Sequence, residues 1–188
     1  MPGTTLLNSA PATPLPFASR PPSTGAAALA VALSLRTDLW TPLVGYREDT
    51  RWTRLLQPAE LAGALDPELE VELADAEVWL LSWLPGQGTD LHDHGASSGA
   101  FAVAAGTLTE RVVTADRRGR RPRGTSAELA AGRARFFGPH YIHQVRNVGD
   151  EPAVSVHVYA PRLRIMNTYR VDGSRLVRTG TEQAGVNW

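Results

Sequence analysis

The sequence predicts a mostly β protein, a sandwich or barrel of short strands with helices on its N-terminal side. Three observations lead there. From residue 76 onward the chain breaks into short runs rich in Val, Thr, Tyr, Phe and Trp, the residues that suit a pleated, half-buried surface. Gly, Pro, Asn and Asp punctuate these runs at regular spacing, as turns between consecutive strands require. Helix-favouring composition is confined to the stretch before residue 66.

The elements follow in order. Residues 1–24 are rich in Pro, Thr, Ala and Ser and are expected to form a flexible N-terminal arm. Ala26 to Leu35 has high helix propensity, with Ser23 or Thr24 available as N-cap. Pro58 to Leu65 reads as a short second helix, because proline is tolerated in a first turn. The acidic stretch Asp66 to Asp75 reads as a surface connection. Strand-like runs then occupy Ala76–Leu84, Ala100–Val103, Thr107–Thr114, Thr125–Leu129, Arg133–Phe137, Ile142–Asn147, Ala153–Tyr159, Ile165–Val171 and Leu176–Thr179. Gly106 makes the turn between the second and third of these. The basic run Arg117 to Arg123 is read as a solvated hairpin turn. No fixed internal repeat is visible. The domain expectation is one unit over residues 25–188, with its barrel at about 76–180.

Composition narrows the function classes. The chain has 188 residues, enough to bury a sizeable core. Its formal net charge is zero, so no nucleic acid or membrane surface is called for as partner. There is no cysteine, which excludes disulfides and thiolate metal sites and fits a reducing compartment. No apolar run approaches the roughly 20 residues of a membrane span, and the first twenty residues lack the pattern of a signal peptide.

The histidines carry the chemistry. All 5 fall between positions 92 and 157. His92 and His94 form a His-x-His pair after the turn Gly86-Gln-Gly88. On a strand, residues i and i+2 point to one face, so the two imidazoles enter one space. His143, on another predicted strand, offers a third nitrogen. Three neutral nitrogen ligands leave coordination positions open, which suits a catalytic metal. Ser155, His157 and Tyr159 alternate along one strand and share a face. Buried together they need mutual hydrogen bonds, and a relay from Ser155 through His157 to Tyr159 would supply them. His140, in Gly138-Pro-His-Tyr141, is expected at a barrel mouth. Trp83 and Phe101 are read as core residues, Met166 as core or pocket lining, and Glu110 as a solvated strand residue.

These motifs resemble a known family. Gly86-x5-His92-x-His94-x11-Gly106 is similar to the first cupin motif, and His143-x3-Asn147 to the core of the second. The glutamate that usually follows the His-x-His pair is replaced here by Ser98 and Gly99, and the glycine expected three residues before His143 is His140. A cupin with three histidines and no carboxylate resembles cysteine dioxygenase of the type I, bacterial form. Trp83 to His94, Glu151-Pro-Ala-Val-Ser155-Val-His157-Val-Tyr159-Ala-Pro161, and Arg51-Trp-Thr-Arg54-Leu-Leu all fit that family's segments, so the resemblance runs from about Arg51 to Tyr169. Animal members carry a cysteine cross-linked to the tyrosine at the position of Gly99. This chain cannot form that link.

What the resemblance implies is specific. The fold would be a cupin β-barrel, jelly-roll-like, with N-terminal helices. His92, His94 and His143 would bind Fe(II). Arg54 would hold the substrate carboxylate through a bidentate pair of hydrogen bonds, with Arg51 and Arg47 as nearby competitors for the role. Tyr159, supported by His157 and Ser155, would be catalytic. Three neutral imidazoles leave the metal its full charge, which attracts a thiolate. The implied partners are L-cysteine and O2, and the product is cysteine sulfinic acid, formed without an external electron donor by a cytoplasmic monomer. Alternatives stay open: a dioxygenase for 3-mercaptopropionate or a related thiol, a non-catalytic metal- or thiol-sensing cupin, or a zinc hydrolase or lyase.

Overall fold

The computed structural model describes residues 22–114 and 121–184. Two antiparallel sheets lie face to face and form the expected barrel. The first orders its strands β1 (Trp52–Leu56), β2 (Glu77–Trp83), β9 (Ala153–Ala160), β4 (Ser98–Ala105) and β7 (Ala134–Phe137). The second runs β11 (Arg175–Gln183), β10 (Ile165–Asp172), β3 (Leu91–Asp93), β8 (His143–Arg146), β5 (Thr107–Thr114) and β6 (Arg123–Ala130). No helix among the described residues is long and apolar enough to cross a membrane.

The two sheets differ in what covers them. Along β2, Trp79, Leu81 and Trp83 face the barrel interior, where they meet Phe101, Leu108, Leu129, Val145 and Met166 from both sheets. The alternate residues Val78 and Leu80, with Ala100, Ala102, Val154, Val156 and Val158, form a second core outside the barrel. Helix α1 (Pro22–Leu35) covers that outer core. Its buried Ala26, Leu29, Ala30 and Leu33 recur at i, i+3, i+4 and i+7, one helical stripe. The short α2 (Thr37–Trp40) is tied to it by a hydrogen bond from Trp40 Nε1 to the Ser34 carbonyl at 3.0 Å. The five-stranded sheet is therefore buried on both faces.

Several sequence expectations need correction. Ser23 and Thr24 belong to the first turn of α1 rather than to its cap, because Pro22 at the helix start has no N–H to lose. The second helix, α3 (Pro58–Leu61), is a single turn closed by a Gln57–Glu60 capping box, and Ala62 is already extended. Within the acidic connection lies α4 (Pro67–Glu72), with Glu68 and Glu70 in its first turn, where the helix dipole favours negative charge. The sheet also starts before residue 76, at β1. Of the expected arm, residues 1–21 lie outside the described residues and residues 22–24 belong to α1. Much of the basic run also lies outside them, although β5 and β6 pair as the expected hairpin would, Thr114 opposite Arg123.

Candidate metal centre

Strand pairing assembles the histidines. In the β3–β8 ladder His92 stands opposite His143. Opposed residues share a face, and the two ring centroids lie 4.7 Å apart. His94 directly follows β3, where Gly95 at φ +59° turns the chain. Asp93, between the two histidines, fixes that turn. Its buried carboxylate accepts hydrogen bonds from the Gly95 N–H at 2.9 Å, Asn167 Nδ2 at 2.7 Å and the Tyr169 hydroxyl at 2.7 Å. The His94 ring then sits 4.9 Å from His92 and 5.2 Å from His143. One ring nitrogen from each buried histidine lies within 4.8 Å of the other two.

The free nitrogens suit a metal. His92 Nδ1 lies 2.8 Å from the Asp90 carbonyl. A carbonyl only accepts, so the proton sits on Nδ1 and Nε2 keeps its lone pair. His143 Nδ1 lies 2.8 Å from Glu110 Oε1, and its Nε2 is buried with no hydrogen-bond partner. His94 Nδ1 is also buried without a partner. An orphaned buried polar atom is unfavourable by about 1–3 kcal/mol, and a cation would satisfy these lone pairs. Burial first, and the neighbouring His143 second, hold the His92 pKa down to about 3. Burial likewise holds His94 well below the usual histidine range. Neutral imidazole is the form that binds metal. Nitrogen donors without a carboxylate, in a dry pocket, fit a divalent transition ion with open positions.

The opposite wall comes from the five-stranded sheet. Ser155, His157 and Tyr159 are all buried and all face inward on β9. Trp83 Nε1 donates to Ser155 Oγ at 2.9 Å, and Ser155 Oγ is hydrogen-bonded to His157 Nε2 at 3.0 Å. His157 stacks on Phe101 at 5.1 Å, and burial keeps its pKa well below the usual range. The expected relay stops there. No hydrogen bond joins His157 to Tyr159 among the described residues, and their ring centroids are 6.4 Å apart. The Tyr159 ring lies 5.1 Å from that of His94. Burial raises its pKa, so the phenol remains a hydrogen-bond donor at neutral pH.

Arg54 and Arg51 lie on opposite sides of the first sheet. On β1, Arg54 stands opposite Leu80, a residue of the helix-side core, so it faces out of the barrel. Its Nη2 bonds Glu60 Oε1 at 2.6 Å. Strand phase is the reason: alternation sends odd-numbered Thr53 and Leu55 inward, opposite Leu81 and Trp79, and even-numbered Arg54 outward. Arg51 takes the inward place. Its guanidinium carbon lies 5.9 Å from the Trp83 ring centre. Its Nε is buried and makes no hydrogen bond. Burial pulls its pKa down, and its charge acts on Tyr159, His157 and His92.

Glu110 lands away from its expected place. Glu110 is 1% exposed rather than solvated, and bonds Arg135 Nε at 3.0 Å, the Tyr141 hydroxyl at 3.3 Å and His143 Nδ1. The signal was present: Glu110 alternates with Leu108 and Val112 on β5, so a period-2 reading points it inward. His140 is exposed at φ 61°, 4.0 Å from Asp93, and outside the three-nitrogen group. Trp83, Phe101 and Met166 are core residues as expected. Gly99 stands opposite Tyr159. A Cβ there would lie 2.1 Å from the Val158 carbonyl oxygen and 2.8 Å from the Phe137 ring.

A sequence model described as cysteine dioxygenase type I matches residues 67–172, more than half of the chain. The chain belongs to this family. A Danio rerio protein, cysteine dioxygenase type 1, is 33% identical over 96 residues, a match covering 48% of this chain and 47% of the relative. The chain thus spans about half the length of that curated relative. A solved structure of oxalate oxidase superposes with TM-score 0.50 at 16% identity, covering 84% of this chain and 68% of its own. An uncharacterized double-stranded β-helix protein from Klebsiella pneumoniae gives TM-score 0.47 at 18% identity, covering 74% of this chain and 87% of its own. The likeness to oxalate oxidase bears on fold alone. The chain is a cupin barrel whose buried histidines can hold a metal.

Proposed function

We propose that this chain is a thiol dioxygenase that places both atoms of O2 on the sulfur of L-cysteine, giving cysteine sulfinic acid, with Fe(II) held by His92, His94 and His143. One observation carries the reading. Three neutral imidazoles without a carboxylate share a pocket with an unpaired arginine and a buried phenol. Iron, when bound by such a set, keeps its full positive charge, so it favours a thiolate ligand and supplies the open positions and redox chemistry for oxygen.

The chain's own side chains do the rest. Arg51, without a carboxylate partner among the described residues, is the cation that reads the substrate carboxylate, in place of Arg54. A buried guanidinium with unused donors gains most from a bidentate anion. Tyr159, as a protonated phenol, donates a hydrogen bond toward the reacting atoms. Ser155 and Trp83 hold His157 beside it, and Phe101 closes the wall against water. The proposal includes a monomeric, cytoplasmic enzyme with no nucleic acid or membrane partner, which the zero net charge and the lack of cysteine support.

The test is oxygen uptake by protein loaded anaerobically with Fe(II), offered L-cysteine, 3-mercaptopropionate and cysteamine, with products identified by mass. Cysteine is expected to be the preferred substrate. Arg51→Gln should raise KM for cysteine by about 10- to 100-fold, the loss of charge-assisted hydrogen bonds, and leave cysteamine, which has no carboxylate, unchanged. Arg54→Gln should move KM by less than about twofold. Preference for 3-mercaptopropionate would keep the chemistry and replace the substrate. No uptake with any thiol would favour a metal- or thiol-sensing cupin.

A further inference from the structure

The three histidines are not held alike. His92 gives its Nδ1 proton to a backbone carbonyl, His143 gives its own to the carboxylate of Glu110 at 2.8 Å, and no hydrogen bond holds the His94 ring among the described residues. The carboxylate is the stronger of these two acceptors and polarises the ring N–H more. An imidazole so placed gains anionic character and donates more strongly through Nε2. We propose that Glu110 is a positioning residue of the metal centre, locking His143 in one tautomer and making it the strongest donor of the three. The inference rests on the reading of these histidines as metal ligands.

The surroundings of Glu110 are built for this. A carboxylate 1% exposed needs several donors to remain in the core. Among the described residues it has three, Arg135, Tyr141 and His143, and they leave neither oxygen empty. Glu110 stands opposite Val145 on β8, and Val112 opposite His143, so the same ladder fixes the carboxylate and the ring it serves. Arg135 is the outer end of the chain. It is 41% exposed and lines, with Thr125, Ser126, Phe136 and Tyr141, a cavity of about 450 Å³ on the side of Glu110 away from the histidines. A line of hydrogen bonds thus runs from the partly exposed Arg135 through Glu110 to His143.

The experiment is a Co(II) competition titration of the full chain, with no thiol present, on wild type, Glu110→Gln, Glu110→Asp and Arg135→Gln. Glu110→Gln keeps the shape and removes the charge. It should weaken Co(II) binding by about 10- to 100-fold. It should also shift the Co(II) ligand-field bands and alter one hyperfine-shifted exchangeable ring N–H signal. A merely structural role would not move those signals in a folded variant. Glu110→Asp should recover part of the affinity, and Arg135→Gln should show a smaller loss in the same direction. Arg135 is partly exposed, so its variant reports even if Glu110→Gln fails to fold. Affinity within twofold of wild type in both Glu110→Gln and Arg135→Gln, with unshifted bands, would overturn the role of Glu110 while leaving the metal site standing. Failure of wild type to bind Co(II) would overturn both.

Discussion

The two walls of the barrel divide the labour. The six-stranded sheet supplies His92 and His143, held by strand pairing and by hydrogen bonds to Asp90 and Glu110, and His94 at the end of β3. The five-stranded sheet supplies Ser155, His157 and Tyr159 from β9, and Arg51 enters just before β1. Its polar side chains lean on aromatic rings as much as on hydrogen bonds. The second wall can afford few polar groups because helix α1 buries its outer face as well. The first is solvated outside, so its strands alternate. The difference teaches that geometry toward a metal is set by a ladder, whereas recognition of a substrate is set by packing.

Variants can separate the walls. The largest effect is expected from His143→Ala. It should abolish stoichiometric metal binding after gel filtration while the far-ultraviolet dichroism survives, because it removes a ligand and leaves the ladder. Tyr159→Phe should do the reverse, lowering kcat by about 10²-fold, as loss of one donor at a reacting centre does, with Co(II) affinity unchanged. If Tyr159→Phe also released the metal, the division between walls would be wrong.

The smallest effect probes both walls together. His92 titrates near 3 in the fold, and His94 and His157 also lie below the ordinary histidine range near 6.5. A lowered folded pKa means that the unfolded chain binds more protons at acid pH. The metal-free protein should therefore hold its stability above about pH 6.5 and lose it progressively as pH falls toward 3. The slope should be on the order of 1 kcal/mol per pH unit for each histidine. His157→Gln should remove the share of the five-stranded wall, measured by urea unfolding at pH 7 and pH 5. A pH-independent midpoint across that window would refute buried neutral histidines.

Much of this was legible before the structure. The His-x-His pair and His143 were readable because ligand spacing on strands is rigid, and Ser155, His157 and Tyr159 because β9 alternates cleanly. The fold class followed from turn spacing. The choice between Arg54 and its competitor Arg51 was not legible, since β1 is short and the sequence does not state its phase, and one residue of slip exchanges the faces. Glu110 was overlooked because a charged residue in a strand is assumed to be solvated. Only its partners Arg135 and Tyr141, distant in sequence, justify its burial. The helix at Pro67–Glu72 was hidden by its acidity, which its first turn in fact favours.

Gly99 has a consequence for how this barrel could change. Its missing side chain leaves β4 pressed against β9, with Phe137 filling what remains. Any thiol introduced opposite Tyr159 would first have to spread two strands and evict an aromatic ring. The route from this barrel to a covalently tethered tyrosine therefore has no viable first step by a change at Gly99 alone. A smaller residue at Phe137 would relieve the ring contact but not the one with the Val158 carbonyl, and it would loosen His94, whose ring stacks on Phe137 at 4.4 Å. The metal wall thus holds a veto over the chemistry of the other.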